Sequence, residues 1–183
     1  MIITITGLPG AGKSTIGKLL SEALHLPRHS AGDLRRKMAE DRGMTIHEFN
    51  ALGETEDFTD KDVDAYQEAL GKEQDEFIID GRLSWYFIPH SFKLFLSVDP
   101  KEAARRIFND SKEGQRPNED VYRSVEEVEE ANAARLASDM KRYQKYYGVD
   151  YLKEGNYDLV IDTTDKSPEE ILQLILSALD EKA

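Results

Sequence analysis

Gly7-Leu8-Pro9-Gly10-Ala11-Gly12-Lys13-Ser14 satisfies G-x-x-x-x-G-K-[ST] in full, a spacing whose chemistry is the capture of a polyphosphate. Glycines let successive backbone N–H groups turn inward on one anion, and a helix that starts at the lysine adds the partial positive charge of its N-terminus. A nucleoside triphosphate is the natural guest. Lys13 then neutralises its β- and γ-phosphates, and the Ser14 hydroxyl ligates the Mg²⁺ that bridges them.

Transfer of a phosphoryl group needs further cations, some on the acceptor and some closing over the donor. Arg36, which follows Ser30-Ala31-Gly32-Asp33, and Arg82, which follows Asp80-Gly81, are placed to face an acceptor. Gly81 permits close approach of a ligand. Asp80 ends a buried strand, a position where a carboxylate either closes the strand or holds magnesium-bound water. Asp33 is read as a helix N-cap, a role compatible with a place in the site. Arg105, Arg106, Arg116, Arg135 and Arg142 surround a polar stretch and are read as lid candidates.

Two other kinds of triphosphate-binding protein are disfavoured. No Asn-Lys-x-Asp occurs to read guanine, and Asp80 is followed by Gly81 and Arg82 rather than by the second carboxylate a hydrolase uses to activate water.

The elements that position these residues follow from periodicity. Ile2-Ile3-Thr4-Ile5-Thr6 is β-branched throughout and suits a strand buried on both faces. Ile16, Leu19, Leu20, Ala23 and Leu24 recur at helical spacing behind it. His29-Ser30, Phe77–Asp80, Leu94-Phe95-Leu96-Ser97-Val98 and Asp158-Leu159-Val160-Ile161-Asp162 read as further strands. Between them lie three helices over 33–73, one after Asp99-Pro100, a charged helix over 125–147 stopped by Gly148, and a final helix opened by Ser167-Pro168-Glu169-Glu170. Residues 109–120 are polar, contain Gly114 and Pro117, and read as a mobile surface excursion. This alternation predicts a three-layer α/β/α domain with about five parallel strands.

Composition bounds the remaining choices. The 183 residues carry 24 Lys and Arg against 36 Asp and Glu, a net charge of −12, which gives no basic surface for duplex nucleic acid. The absence of cysteine excludes disulfides, a thiolate nucleophile and cysteine-held metals. No stretch has the ~20 apolar residues of a membrane span, and the N-terminus lacks an export leader. The expectation is a cytoplasmic protein, more readily monomeric than oligomeric.

The order of Gly-x4-Gly-Lys-Ser, Ser30-Ala31-Gly32-Asp33-x-x-Arg36, Asp80-Gly81-Arg82 and an arginine-bearing lid resembles the P-loop nucleoside monophosphate kinases. Ile5-Thr6-Gly7-Leu8-Pro9-Gly10, His29-Ser30-Ala31-Gly32-Asp33, Arg36-Lys37-Met38-Ala39, Arg42-Gly43-Met44, Gly81-Arg82-Leu83 and Lys141-Arg142-Tyr143 resemble more closely the archaeal-type cytidylate kinases, which phosphorylate CMP and dCMP. The resemblance spans Met1 to about Ser177.

It implies that the loop from Gly7 through Thr15 binds ATP and magnesium, with Gly10, Gly12, Lys13, Ser14 and Thr15 on the phosphates. It also implies that Arg36 and Arg82 grip the acceptor phosphate beside Ser30, Gly32 and Gly81. Asp33 then sits near the metal or the acceptor as an orienting carboxylate, and Arg135 and Arg142 are arginines of a lid that swings over the transferring group. Tyr66-Gln67 stands where that family commonly has Arg-Gln in the helix approaching the base. The implied organisation is one domain, with a core of 1–32, 74–104 and 148–183, acceptor-binding helices over 33–73, and a lid with the long helix over 105–147. Kinases for AMP, UMP or a small metabolite such as shikimate or gluconate are the competing readings, as is a nucleotide-binding module with little transfer activity.

Overall fold

The computed structural model describes residues 1–112 and 122–182. Its centre is a parallel sheet of β1 (Ile2–Gly7), β2 (Arg28–Ser30), β3 (Phe77–Asp80), β4 (Phe92–Ser97) and β5 (Leu159–Asp162), in the order β2-β3-β1-β4-β5. Among the described residues eight helices connect and cover it: α1 (Lys13–Leu24), α2 (Ala31–Glu40), α3 (Ile46–Leu52), α4 (Phe58–Glu73), α5 (Ser84–Phe87), α6 (Pro100–Lys112), α7 (Val125–Tyr147) and α8 (Pro168–Asp180). This is the three-layer α/β/α architecture that the alternation of patterns predicts.

Alternation along β1 feeds two cores. Ile3 and Ile5 point to one face, where Ile78, Leu94, Leu96 and Ile161 of the sheet meet Ile16 and Leu20 of α1 and Ile171, Ile175 and Leu179 of α8. Ile2 points to the other, with Phe77, Ile79, Ile88 and Leu70 of α4. Both faces of the sheet are therefore covered, as a parallel sheet requires. Each fully buried aliphatic side chain contributes roughly 1.5–3 kcal/mol.

Local signals set the helix ends. Thr45 and Ser167 form capping boxes with Glu48 and Glu170, and Pro168 occupies the first turn of α8. Gly148 ends α7 at φ 65°. Helix α6 runs to Lys112, beyond the break expected at 109. Two short pieces have no periodic signal, α5 and a 3-10 turn at Glu154–Asn156. The excursion centred on Gly114, Arg116 and Pro117 lies mostly outside the described residues, so Arg116 does too.

The register brings the chemistry to one edge. Ile5 pairs with Asp80, and Ser30 also pairs with Asp80. The loop after β1, the start of α2 and Gly81-Arg82 therefore leave the sheet side by side at its carboxyl end, where open α/β sheets hold their ligands.

Candidate active site

A cavity of about 650 Å³ opens at that edge, within the range of small-molecule sites. Part of its lining is Pro9, Gly10, Ala11, Gly12, Lys13, Ser14 and Thr15. Gly10 and Gly12 have φ of 75° and 84°, left-handed conformations that free the backbone to curl. A Cβ on Gly10 would lie 2.8 Å from the Ala103 carbonyl oxygen, so the loop also needs glycine to pack on α6. Helix α1 begins immediately after Gly12 with no acidic residue in its first turn, leaving its positive N-terminal end for an anion from outside. The Lys13 ammonium donates to the Gly7 and Leu8 carbonyl oxygens at 3.0 and 2.8 Å and so bridges the mouth of the loop. Gly7 and Leu8 form the scaffold of the loop and stand outside the cavity lining.

Asp80, Gly81 and Arg82 form part of the floor. Asp80 is buried and accepts hydrogen bonds from Arg28 and from the Ser30 hydroxyl, the latter at 2.9 Å. Burial pushes its carboxyl above the usual aspartate range, against the pull of Arg28 and of the more distant Lys13. A Cβ on Gly81 would fall on the Ser84 hydroxyl and lie 2.9 Å from Ala31 Cβ, so only glycine fits where α2, α4 and β3 converge.

The start of α2 departs from expectation. Ser30 is the N-cap, accepting from the Asp33 backbone N–H at 3.2 Å, and Asp33 is the third residue of the helix. That rotation carries the Asp33 carboxylate to the surface. It pairs there with Arg36 and lies outside the cavity lining, so the geometry does not support it as a metal or acceptor group. Ser30 is likewise outside and acts through Asp80, whereas Gly32 and Arg36 line the cavity.

From Arg82 the lining continues into a buried charge cluster. Arg82 pairs with Asp139; Arg142 pairs with Asp139 and donates to both oxygens of Asp60 at 2.5 and 2.8 Å. Arg35 donates to Asp60 at 3.0 Å, to the Thr59 carbonyl at 2.6 Å and to Asn50 at 2.8 Å. Three guanidiniums thus share two carboxylates. Burial opposes the charge of Arg82, but Asp139 beside it more than compensates and raises its pKa. Burial likewise opposes the charge on Asp139, yet Arg82 and Arg142 hold its carboxyl below the usual range.

The expectation for Arg142 is therefore corrected. It is 1% exposed and fixed on the inward face of α7, so it forms wall rather than a swinging lid. Arg135 lines the cavity two turns earlier on the same helix. Arg106 is also anchored, donating to the Thr163 and Thr164 carbonyls at 2.8 and 2.9 Å and to Glu102 at 2.8 Å. Glu102, held by Arg105 and then Arg106, titrates down at about 2.

Among the described residues no cluster of three His, Cys, Asp or Glu could hold a metal by itself. The donor set fits Mg²⁺ bound through substrate phosphates, because that ion keeps several waters and takes only one or two protein ligands. Ser14 and Asp80 line the cavity and are the protein groups suited to it.

Residues 2–165 match the cytidylate kinase-like family. The chain is 37% identical over 179 residues to a cytidylate kinase of Methanobrevibacter smithii, covering 98% of both chains, and 35% identical to one of Methanocella arvoryzae, covering 99% of this chain and 98% of that one. The chain belongs to the cytidylate kinase-like family. It is a nucleoside monophosphate kinase. Among solved structures, shikimate kinases of Bacteroides thetaiotaomicron and Aquifex aeolicus share its fold, with TM-scores of 0.66 and 0.62 at 18% and 19% identity. The first alignment covers 98% of both chains; the second covers 100% of this chain and 98% of the other.

Within this kinase several cavity residues escape a reading of the sequence: Arg35, Asn50, Asp60, Asp64 and Asp139. Asp60, Asp64 and Gln67 recur at helical spacing on α4 beside Val63, a signal hidden by exposed acidic residues on the same helix. Of the pair at 66–67, Gln67 faces the cavity, while Tyr66 is 37% exposed and bonds His29 at 2.9 Å. Trp85 packs with Tyr86 and Tyr157 and donates to the Arg82 carbonyl at 3.1 Å.

Proposed function

We propose that this kinase transfers the γ-phosphoryl group of ATP to CMP or dCMP. The observation that supports the reading is one cavity lined both by the polyphosphate loop and by Arg36, Arg82 and residues of α3 and α4. The Gly10–Thr15 loop and Lys13 hold the triphosphate of the donor. Ser14 and Asp80, which both line the cavity, would hold Mg²⁺ beside those phosphates, where the ion would supply neutralisation of the charge that develops in transfer. Arg36 and Arg82 hold the acceptor phosphate in line. Its anionic oxygen forms the new P–O bond as the bond to the ADP oxygen breaks, so no protein base is required. Arg135 completes the cationic surround of the migrating group.

The division into core, acceptor-binding helices and lid is part of this proposal, with one qualification from the contacts. Helix α7 is tied to the 33–73 segment by Arg142–Asp60, by Tyr146 donating to the Gly53 carbonyl at 2.8 Å, by Lys141–Glu54 at 2.5 Å and by Tyr147–Asp64. Closure therefore carries α7 and the acceptor helices together. We place the enzyme in the cytoplasm as a monomer. In support, no helix among the described residues is long and apolar enough to cross a membrane, and the large exposed apolar side chains are spread over separate elements.

An acceptor panel with ATP and Mg²⁺ tests the reading. ADP release is expected to rise at least about tenfold over the acceptor-free rate with CMP and dCMP, with CDP and dCDP as products. UMP, AMP, shikimate and gluconate are expected to give less. Release that no acceptor stimulates would contradict transfer, and a preference for shikimate or gluconate would contradict the nucleotide acceptor.

A further inference from the structure

The polar groups on the α3–α4 wall are nearly all committed. The Asn50 side-chain oxygen takes Arg35, Asp60 takes Arg35 and Arg142, and the Gln67 oxygen takes the Ser84 hydroxyl at 2.6 Å. Asp64 differs. It lines the same cavity, yet among the described residues its partners are neutral donors, the Tyr147 hydroxyl on Oδ2 and the Gln67 amide on Oδ1 at 3.2 Å. A carboxylate offers about four acceptor sites, so two stay available to a guest. The remaining charged groups around it are Asp60 on its own helix, Arg35 on α2 and Arg142 on α7. No ion pair among the described residues closes it off.

A carboxylate repels the acceptor's phosphate, which the arginines of the same lining attract. What it attracts is an N–H donor. That division of charge suits a nucleoside monophosphate whose phosphate is held by Arg36 and Arg82 and whose base reaches Asp64 on α4. We propose that Asp64 is a specificity-determining residue, accepting a hydrogen bond from the exocyclic amine of the acceptor base and so favouring an amino pyrimidine over its keto counterpart. This rests on the nucleotide-acceptor reading above and supplies the base reading that Tyr66, turned to the surface, does not.

The titration of Asp64 provides a signature that a packing role would not. Burial, reinforced by Asp60 and opposed by the Tyr147 hydrogen bond, Arg35 and Arg142, pushes its carboxyl up to about 7. Ionised, it accepts from the cytosine amine and repels the uracil carbonyl. Protonated, it donates to that carbonyl. Preference for CMP over UMP therefore rises with pH across neutrality, and ionisation of the substrate phosphate, shared by both nucleotides, cancels in the ratio.

The experiment measures kcat/KM for CMP and UMP at pH 6 and pH 8 in the wild type, Asp64→Asn and Tyr147→Phe, with thermal melts as a check on folding. In the wild type the CMP:UMP ratio is expected to rise at least about fivefold between the two pH values. Asparagine can turn its amide to suit either base, so the variant's ratio at pH 8 falls about tenfold and loses its pH dependence. Tyr147→Phe removes the hydrogen bond that holds the Asp64 carboxyl down, so the ratio in that variant still rises with pH but does so at higher pH than in the wild type. A wild-type ratio flat with pH, or an Asp64→Asn variant that slows CMP and UMP alike, overturns the inference while leaving the acceptor reading intact. An enzyme that phosphorylates neither CMP nor dCMP overturns both.

Discussion

Arg82→Ala is expected to lower kcat/KM for the nucleoside monophosphate by about 10³-fold while leaving the affinity for ATP within about threefold of wild type. Arg82 follows Asp80-Gly81 at the carboxyl end of β3 and lines the same cavity as the polyphosphate loop. Its loss removes the planar fork that the proposal assigns to the acceptor but nothing of the donor loop itself. Arg82→Lys keeps the charge without the fork and should recover only part of the loss. The readouts are steady-state kinetics in the acceptor and a separate titration with ATP. A variant within tenfold of wild type in kcat/KM would contradict the role. Equal losses in acceptor turnover and ATP affinity would instead point to collapse of the site, which a melt would detect.

The second large effect concerns stability. Asp139 is 3% exposed and pairs with both Arg82 and Arg142. Asp139→Ala would strand Arg82 in the wall with its ion-pair partner gone and leave Arg142 dependent on Asp60. Breaking a buried pair from one side costs about 3–5 kcal/mol. The pH dependence follows from the sign of the shift. Asp139 has a carboxyl pKa below its unfolded value, so it contributes stability that is complete above the ordinary aspartate range and fades as pH falls through the lower, folded value. The difference between wild type and variant should therefore be largest near neutrality and shrink in acid. Urea unfolding at pH 7 and pH 3 measures it. A difference below about 1 kcal/mol at pH 7 would show that the cluster contributes no more than exposed pairs do.

The donor side of this site and the frame that carries it are legible in the sequence because their causes are local. A phosphate loop needs its glycines in consecutive turns, a two-face buried strand needs β-branched residues in a row, and capping boxes place Ser167 and Thr45 within four residues of their partners. The acceptor wall is different. Asp60 meets Arg142 across 82 positions of chain, and Tyr147 meets Asp64 across 83.

Helix α7 buries Val128, Asp139, Arg142 and Tyr143, so half of its inward face is charged and a hydrophobic period cannot reveal it. The same helix read by composition is a solvated face, which is why Arg142 looks like a lid residue and Asp139 like nothing at all. At α2 the error is one of phase. Taking Asp33 rather than Ser30 as the cap shifts the helix start by three residues and turns a surface pair with Arg36 into an apparent site carboxylate.

Simultaneous occupancy of the two ends of one cavity is the central claim, and a bisubstrate ligand measures it most directly. Adenosine and cytidine joined through a pentaphosphate should bind by calorimetry at least about 100-fold more tightly than ATP alone, since the second end adds contacts without a second loss of translational freedom. ATP and CMP should each compete with it, and both Lys13→Met and Arg82→Ala should weaken it. Binding no tighter than ATP, or unaffected by CMP, would mean that the polyphosphate loop and the arginine wall do not act on one line of transfer.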